Sequence, residues 1–407
     1  MSSNMKMAIV SSYSESCGNA AFTRIVHDSV EYFHPDIEVD VVELDLKLLQ
    51  SINHDVRKKA DAHIADICAR LKSYDIVNIQ MEAGLYGTLP NDITSRFRKM
   101  LSANKNTSVT LHSPRLIGSA QSGARSAIKK FLHFDIKGGF RDLLGGKYAQ
   151  VHININKKII DYSVRSNARL IVHTSRARKQ IQDFFSYDNV DVHPLKMVPI
   201  NYVENPATYD KIIHDAGFSE EDVLIGMFGY ISAYKGHVDA LKALEQLPAN
   251  YKLLIFGRQH PQTLKSNGHP DAYLEHLQAL VLKNKRLRKR VYFMGELNDS
   301  DFLDVVGSVD ISWLPYYENG QDGSGIASIC LDRSPRVLCS ASFAFDELFQ
   351  LVEYRNVKRF DIGNTMEIAL KTKMFLKSGK TSRPFCDESR FSIKSQADNY
   401  VKGSQAK

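Results

Sequence analysis

The sequence predicts an α/β protein made of two doubly wound, Rossmann-like domains, and three observations predict it. Short β-rich runs alternate along the chain with longer stretches of helical period, the pattern of parallel βαβ units with helices on both sheet faces. Most of the short runs are continuously apolar, as strands buried on both faces must be. The alternation is broken once, near residue 200, and then resumes, which splits 407 residues into domains of ordinary size.

In chain order, strands are expected at Met7–Val10, Val39–Leu44, Asp75–Gln80, Ser108–Leu111, Val151–Ile155 and Leu170–His173. The first apolar run is too short for a signal peptide and leads into Ser11-Ser12-Tyr13-Ser14, so it reads as a buried strand. Within Arg57–Tyr74, the residues Ile64, Ile67, Cys68 and Leu71 follow i, i+3, i+4, i+7 and predict a helix with one buried face. The stretch Asn201–Phe218 is polar and irregular, with Asn205-Pro206 and a Gly217 suited to a helix C-cap. It marks the boundary between a first domain, 1–200, and a second, 201–385. The second series has strands at Val223–Phe228, Tyr251–Phe256, Val291–Met294, Val309–Leu314 and Val337–Cys339, with helices near Gly236–Leu247, Tyr273–Leu282 and Ser300–Gly307. Residues 386–407 form a tail in which Phe391, Ile393, Ala397 and Tyr400 make a helical stripe that packs back on the body.

Composition narrows the class. With 43% hydrophobic and 24% charged residues the chain resembles ordinary globular proteins rather than disordered or fibrous ones. Cys17, Cys68, Cys330, Cys339 and Cys386 are scattered, with no C-x-x-C pair for zinc or redox work, which fits a reducing cytoplasm. No apolar run approaches the roughly 18–20 residues that cross a bilayer. A net charge of +7 is too small to imply nucleic-acid binding without a recognisable module.

Ligands of open α/β sheets bind beyond the carboxyl ends of strands, so those positions carry the functional reading. Phe228-Gly229-Tyr230-Ile231-Ser232-Ala233-Tyr234-Lys235-Gly236 follows a strand and precedes a helix. Its glycines allow close backbone approach, the helix start offers N–H groups and Lys235 supplies a charge, the ingredients of a phosphate site. A second loop, Leu314–Ile326, places Gly320, Gly323, Ser324 and Gly325 before another helix, again a nest of donors. In the first half, Gly18-Asn19-Ala20 opens a helix beyond the first strand, the third predicted strand runs into Gln80 and Glu82, and the fourth ends on His112-Ser113.

Together these stretches resemble the GT-B glycosyltransferases, specifically the retaining group known as glycosyltransferase family 4. Gly18-Asn19-Ala20 resembles the family's first glycine loop, and Asp75–Glu82 with Gly84-Leu85-Tyr86-Gly87 is similar to its D-x-V-x-x-Q-H-E-x-G-I-x-G stretch. Val109–Ser113 resembles its T-x-H-[ST] strand end, Gly229–Gly236 its G-x-x-x-x-x-K-G loop, and Ser324-Gly325 with Pro335-Arg336-Val337 an S-G…P-V segment. The resemblance covers roughly residues 7–350.

What it implies is a GT-B enzyme of the hexosyltransferase type, with two Rossmann-like domains facing a cleft. A sugar would pass from a nucleotide-diphosphate sugar, held by the second domain, to a saccharide or lipid-linked saccharide held by the first, with retention, in surface-glycan synthesis. His112 and Lys235 would be the catalytic residues, Lys235 neutralising the departing diphosphate. Gly18, Gly229, Arg258, Glu318, Ser324, Gly325 and Ser328 would hold the donor. Three places depart from the family pattern. In the paired-glutamate signature E-x7-E, Glu318 stands near the first position and Ser328 falls at the second. The arginine often paired with the loop lysine is missing, with Arg258 the candidate replacement, and Met81 stands where the family has histidine. A non-catalytic GT-B-like binding subunit and a nucleotide-sugar epimerase are the alternatives.

Neither a metal nor another cofactor is expected. Asp299-Ser300-Asp301 imitates a metal-binding D-x-D but precedes Phe302, Leu303 and Val306, so it reads as a helix N-cap. The basic run Lys283–Arg290 lies between a helix and a strand and reads as a solvated face complementing a helix C-terminus. Arg115–Lys147 carries seven basic residues against Asp135 and Asp142, with Ile128, Phe131, Leu132 and Ile136 on one stripe. Such a segment can lie on anionic lipid or cover a core. Glu82, Arg125, Lys129 and Lys130 are accordingly assigned to the acceptor and membrane side of a cytoplasmic or peripheral protein, with no nucleic-acid partner.

Overall fold

The computed structural model describes the chain except for residues 1–4, 16–17, 118–135, 209, 211–216, 260–271, 319, 351–355, 378–390 and 404–407; for 136–149 and 349–350 it describes backbone alone. The chain divides into two compact units, Met1–Pro194 with Arg390–Lys407, and Leu195–Ser389. Among the described residues each unit holds a six-stranded parallel sheet.

The first sheet contains β1 (Met5–Ser11), β2 (Ile37–Glu43), β3 (Ile76–Met81), β4 (Thr107–Leu111), β5 (Arg169–Val172) and β6 (Val190–Val192), in the order β2-β1-β3-β4-β5-β6. The order reverses between β1 and β3, which makes the ends of these two strands the natural ligand position. Because side chains alternate along a strand, the pattern of β3 and β4 gives this sheet two unlike faces. Val77, Ile79, Val109 and Leu111 join the apolar core with Ile64, Ile67 and Leu71 of helix His54–Leu71. Asn78, Gln80, Ser108 and Thr110, equally buried, point the other way. There Tyr400, on the last helix Ile393–Tyr400, accepts from Thr110 Oγ1 at 3.1 Å, and its hydroxyl lies 3.4 Å from the side-chain amide of Gln80. Arg169, also fully buried, bonds Asp191 and Asn399. The terminal helix is therefore fastened by polar contacts that burial makes costly to lose.

The second sheet contains β7 (Val223–Phe228), β8 (Tyr251–Phe256), β9 (Val291–Gly295), β10 (Ile311–Leu314), β11 (Val337–Ser340) and β12 (Val357–Phe360), in the order β12-β11-β10-β7-β8-β9. This is the 3-2-1-4-5-6 arrangement of dinucleotide-binding folds, reversed between β7 and β10. Ile225, Met227, Leu253, Ile255 and Trp313 meet Leu241 and Leu244 of helix His237–Glu245 in its core.

Three local expectations are corrected. Val151–Ile155 is not a strand but part of helix Ile136–Arg165. Its β-branched alternation imitates a strand, yet Ile155, Ile159 and Ser163 recur every fourth residue and are buried on one helical face. Arg290, at the end of the basic run, is buried rather than solvated, and donates to the carbonyls of Tyr251 and Leu244 at 3.0 and 2.8 Å. The cap of helix Asp299–Ser308 is Asn298, whose side chain accepts from the Asp301 amide. Two short edge strands, β6 and β12, had no clear apolar signal. No helix among the described residues is long and apolar enough to cross a membrane.

Candidate functional site

In the second unit, the loops after β7 and β10 flank the reversal point and are stitched together. β7 ends on Phe228, and Gly229 then turns into the left-handed region at φ +88°. A side chain there would bring Cβ to 2.9 Å from Lys235 Nζ and 3.0 Å from Ile326. Gly236 is stricter: at φ +72° its Cβ would lie 1.8 Å from the Pro315 carbonyl oxygen, so only glycine fits between the loops. The amide of Tyr317 donates to the carbonyl of Tyr234 at 2.7 Å, and the Tyr317 hydroxyl to Asp239 at 2.6 Å.

Lys235 sits between these loops with 4% of its surface exposed. Its ammonium donates to the Phe228 carbonyl at 3.2 Å and the Tyr316 hydroxyl at 2.8 Å, and lies 4.8 Å from the centre of the Tyr316 ring. Both hydrogen-bond partners are neutral. Burial pulls its pKa below the usual lysine value, and burial with the neighbouring ammonium pushes His237 down to about 3. Beyond Tyr316, 3.5 Å from its hydroxyl, is Ser324 Oγ, which caps helix Gly325–Arg333 by accepting from the Ala327 amide. A buried cation thus shares a loop junction with a helix N-terminus, a combination suited to an anion.

The remaining residues expected to hold a donor divide by what occupies them. Glu318 accepts from the amides of Gly320 and Phe343, at 2.6 and 2.7 Å, and from Ser342 Oγ, so its carboxylate ties two loops. Ser328 is buried and donates to the carbonyl of Leu195. Arg258 is exposed beyond β8 and pairs with Glu296 at 3.2 Å, its guanidinium 6.0 Å from the Tyr230 ring. Gly325 is the first residue of its helix, and an added Cβ would meet Met197 at ordinary contact distance.

In the first unit, helix Gly18–Phe33 starts on an exposed Gly18 with open space around it. Its Phe22 ring stands edge-on to His112 and His173, with centroids 5.4 and 5.8 Å away. His112, just beyond β4, has Nε2 2.7 Å from Gln80 Oε1 and Nδ1 3.1 Å from His173 Nε2. His173, just beyond β5, has Nδ1 3.0 Å from the His193 carbonyl. Burial holds His112 well below the usual histidine pKa, with His173 adding to the effect, and lowers His173 to about 4. Both rings are therefore neutral near pH 7.

Glu82 follows β3 and lines a narrow pocket with Leu111, Ser113, Pro114 and Asn156. Burial raises its pKa, against the opposing hydrogen bonds of Ser113 and the Ala83 amide. Arg125, Lys129 and Lys130 lie outside the described residues. Among those described, His27, Asp28 and Glu31 on helix Gly18–Phe33 are the group whose ligand atoms could meet at one cation. His173, Tyr316 and Tyr400 belong to these sites without having been among the expected site residues, although Tyr400 was expected on the stripe of the terminal helix. The first two could have been found by the strand-end rule that found His112 and Lys235.

Neither a protein-family model nor a curated protein sequence matches the chain. Solved structures do. Crystal structures of Anabaena Alr3699/HepE in complex with UDP match with a TM-score of 0.64 at 13% identity, over 98% of this chain and 99% of that one. The chain has the GT-B fold. The same fold likeness extends to sucrose-phosphate synthase from Thermosynechococcus elongatus, with a TM-score of 0.61 at 14% identity over 98% and 94% of the two chains. It extends also to WaaG, a glycosyltransferase involved in lipopolysaccharide biosynthesis, at 0.53 and 13% over 97% and 94%. At such identities the GT-B likeness concerns the fold; residue roles rest on local geometry.

Proposed function

We propose that this chain is a glycosyltransferase that moves a sugar from a nucleotide-diphosphate sugar to a saccharide or lipid-linked saccharide. The observation that carries the reading is Lys235: a buried ammonium with neutral hydrogen-bond partners, held by two loops at the reversal point of a dinucleotide-type sheet. A buried charge of this kind is costly until an anion meets it. A diphosphate would, and Ser324 and Gly325 at the adjacent helix start would add backbone donors. Alr3699/HepE was crystallised with UDP and with UDP-glucose, which makes a uridine nucleotide the first donor to try.

In the reaction the bond between the anomeric carbon and the diphosphate oxygen breaks, and the acceptor oxygen bonds that carbon. Lys235 stabilises the charge that develops on the leaving phosphate. The acceptor's proton passes to the leaving phosphate, consistent with retention, so no side-chain base is required. His112 suits a supporting part: its ring is neutral, and it orients a sugar by contact or by exchanging its Gln80 partner for a sugar hydroxyl. Gly18 has open space around it, which would admit a ligand at the first unit's strand ends. Arg125, Lys129 and Lys130 would bring an anionic acceptor or membrane surface to the first unit.

A second reading, a binding subunit without turnover, is favoured by one pair of observations. Glu318 is committed to loop amides and Ser328 to a backbone carbonyl, so neither offers a free carboxylate to a ribose. Thermal-shift measurements with UDP-, GDP-, ADP- and CDP-sugars test both. Stabilisation by at least one, followed by sugar transfer to an acceptor, is expected; stabilisation without turnover selects the second reading, and no stabilisation by any nucleotide overturns both.

A further inference from the structure

The polar chain in the first unit contains more contacts than hydrogens to fill them. Three close contacts run in series: His193 carbonyl to His173 Nδ1, His173 Nε2 to His112 Nδ1, and His112 Nε2 to Gln80 Oε1. Each needs one hydrogen. Two neutral imidazoles carry one apiece, and both ends of the chain, a carbonyl and an amide oxygen, only accept. One contact is left without a hydrogen.

A carbonyl cannot donate, so His173 must carry its hydrogen on Nδ1, leaving Nε2 bare. Gln80 is the group in the series whose donor and acceptor ends can exchange, so the arrangement that fills all three contacts has His112 donating from Nδ1 with its Nε2 bare. The unfilled contact is the 2.7 Å approach to Gln80, where two lone pairs would face each other. Charging a ring would supply the hydrogen, but both rings are buried, and the aromatic edge of Phe22 faces them. Rotating the Gln80 amide supplies it without charge, because the two ends of an amide have nearly the same shape. Asn78 rotates with it: its NH2 then donates to Gln80 Oε1 and its oxygen accepts from the Ser108 hydroxyl 2.9 Å away, while Tyr400, accepting from Thr110, turns its own hydrogen to Gln80 Oε1.

The geometry points to His173 as a positioning residue that, anchored by the His193 carbonyl, fixes His112 as its Nδ1–H tautomer. His112 then presents a lone pair at Nε2, filled by the Gln80 amide. In place of that amide, a substrate hydroxyl can donate to Nε2; this last step rests on the transferase reading above, whereas the tautomer does not. The chain is closed at both ends by the terminal helix: Tyr400 bonds Gln80, and Ser395 bonds His193 Nε2 at 2.8 Å.

The test is a long-range proton–nitrogen correlation spectrum of the full chain with 15N-labelled histidine, at neutral pH and without ligand. Expected is His112 protonated at Nδ1 and bare at Nε2; a His112 protonated at Nε2 overturns the proposal. His173→Phe, which keeps a ring but removes the acceptor, should shift His112 away from this tautomer, and His173→Gln, which retains an acceptor, should restore it. An unchanged His112 in His173→Phe also overturns the proposal. In turnover, His173→Phe should lower kcat by up to about 100-fold with donor KM little changed, and His173→Gln should recover part of the loss. Absence of turnover in the unaltered protein would sink the transferase reading while the spectra still decide the tautomer.

Discussion

The two units build their strand-end sites from opposite electrostatic materials. Beyond β3, β4 and β5 of the first, Gln80, His112 and His173 form a neutral hydrogen-bond chain under an aromatic edge. Beyond β7 and β10 of the second, Lys235 holds a buried positive charge against a carbonyl and a phenol. Related parallel sheets thus present unlike chemistry: a neutral chain suits hydroxyl groups, and a buried cation suits phosphate. The contrast also separates their costs, since unmet hydrogen bonds burden the first and an unmet charge burdens the second.

The comparison breaks most sharply at Lys235 and His112. Lys235→Ala should lower sugar transfer by at least about 100-fold, as loss of a leaving-group stabiliser does, and should also weaken donor binding. His112→Ala should reduce transfer while leaving the donor-induced thermal shift in place. Parallel turnover and thermal-shift measurements on both variants check this division, and a shift lost equally in both would erase it.

Next in size is Gly236→Ala. Its Cβ would enter the Pro315 carbonyl, so denaturant unfolding should show a loss of about 3 kcal/mol or more, confined to the second unit.

Acid should weaken both units. His173 has a folded pKa of about 4 and His237 of about 3, both below the ordinary histidine value. The unfolded chain therefore binds more protons, and the stability of the neutral rings is complete above pH 6.5 and lost as pH falls. Melting curves should decline from about pH 6.5 toward 4, by roughly 1.4 kcal/mol per pH unit for each such ring. His173→Phe should flatten the first unit's share only.

Tyr400→Phe, which removes one hydroxyl from the polar face of the first sheet, should cost about 1 kcal/mol in chemical unfolding. Arg258→Ala should cost least, because its pair with Glu296 is exposed on both sides.

How far the sequence could be read depended on whether the signal was local. Lys235 and Gly236 were legible because a glycine loop between an apolar strand and an amphipathic helix states its role in nine consecutive residues. β7 and β8 were likewise placed to the residue. Val151–Ile155 was misread because a β-branched run carries the same period-two signal whether or not a strand forms, and the packing of Ile155 and Ile159 decided for helix. The His112–His173 contact joins residues 61 apart, and Tyr400 reaches Thr110 across 290. No local pattern encodes such pairs: the first follows from the register that sets Leu111 beside Val172, the second from the packing of the terminal helix on the sheet. Glu318 and Ser328 were legible as positions but not as states, since their partners Phe343 and Leu195 lie elsewhere in the chain.

Calorimetric titration of UDP into the unaltered chain, Lys235→Ala and His173→Phe tests whether the second unit meets an anionic donor through Lys235. Expected are binding to the unaltered chain, affinity about 10- to 100-fold weaker in Lys235→Ala, and affinity within a few-fold in His173→Phe. Equal affinity in the unaltered chain and Lys235→Ala would contradict it.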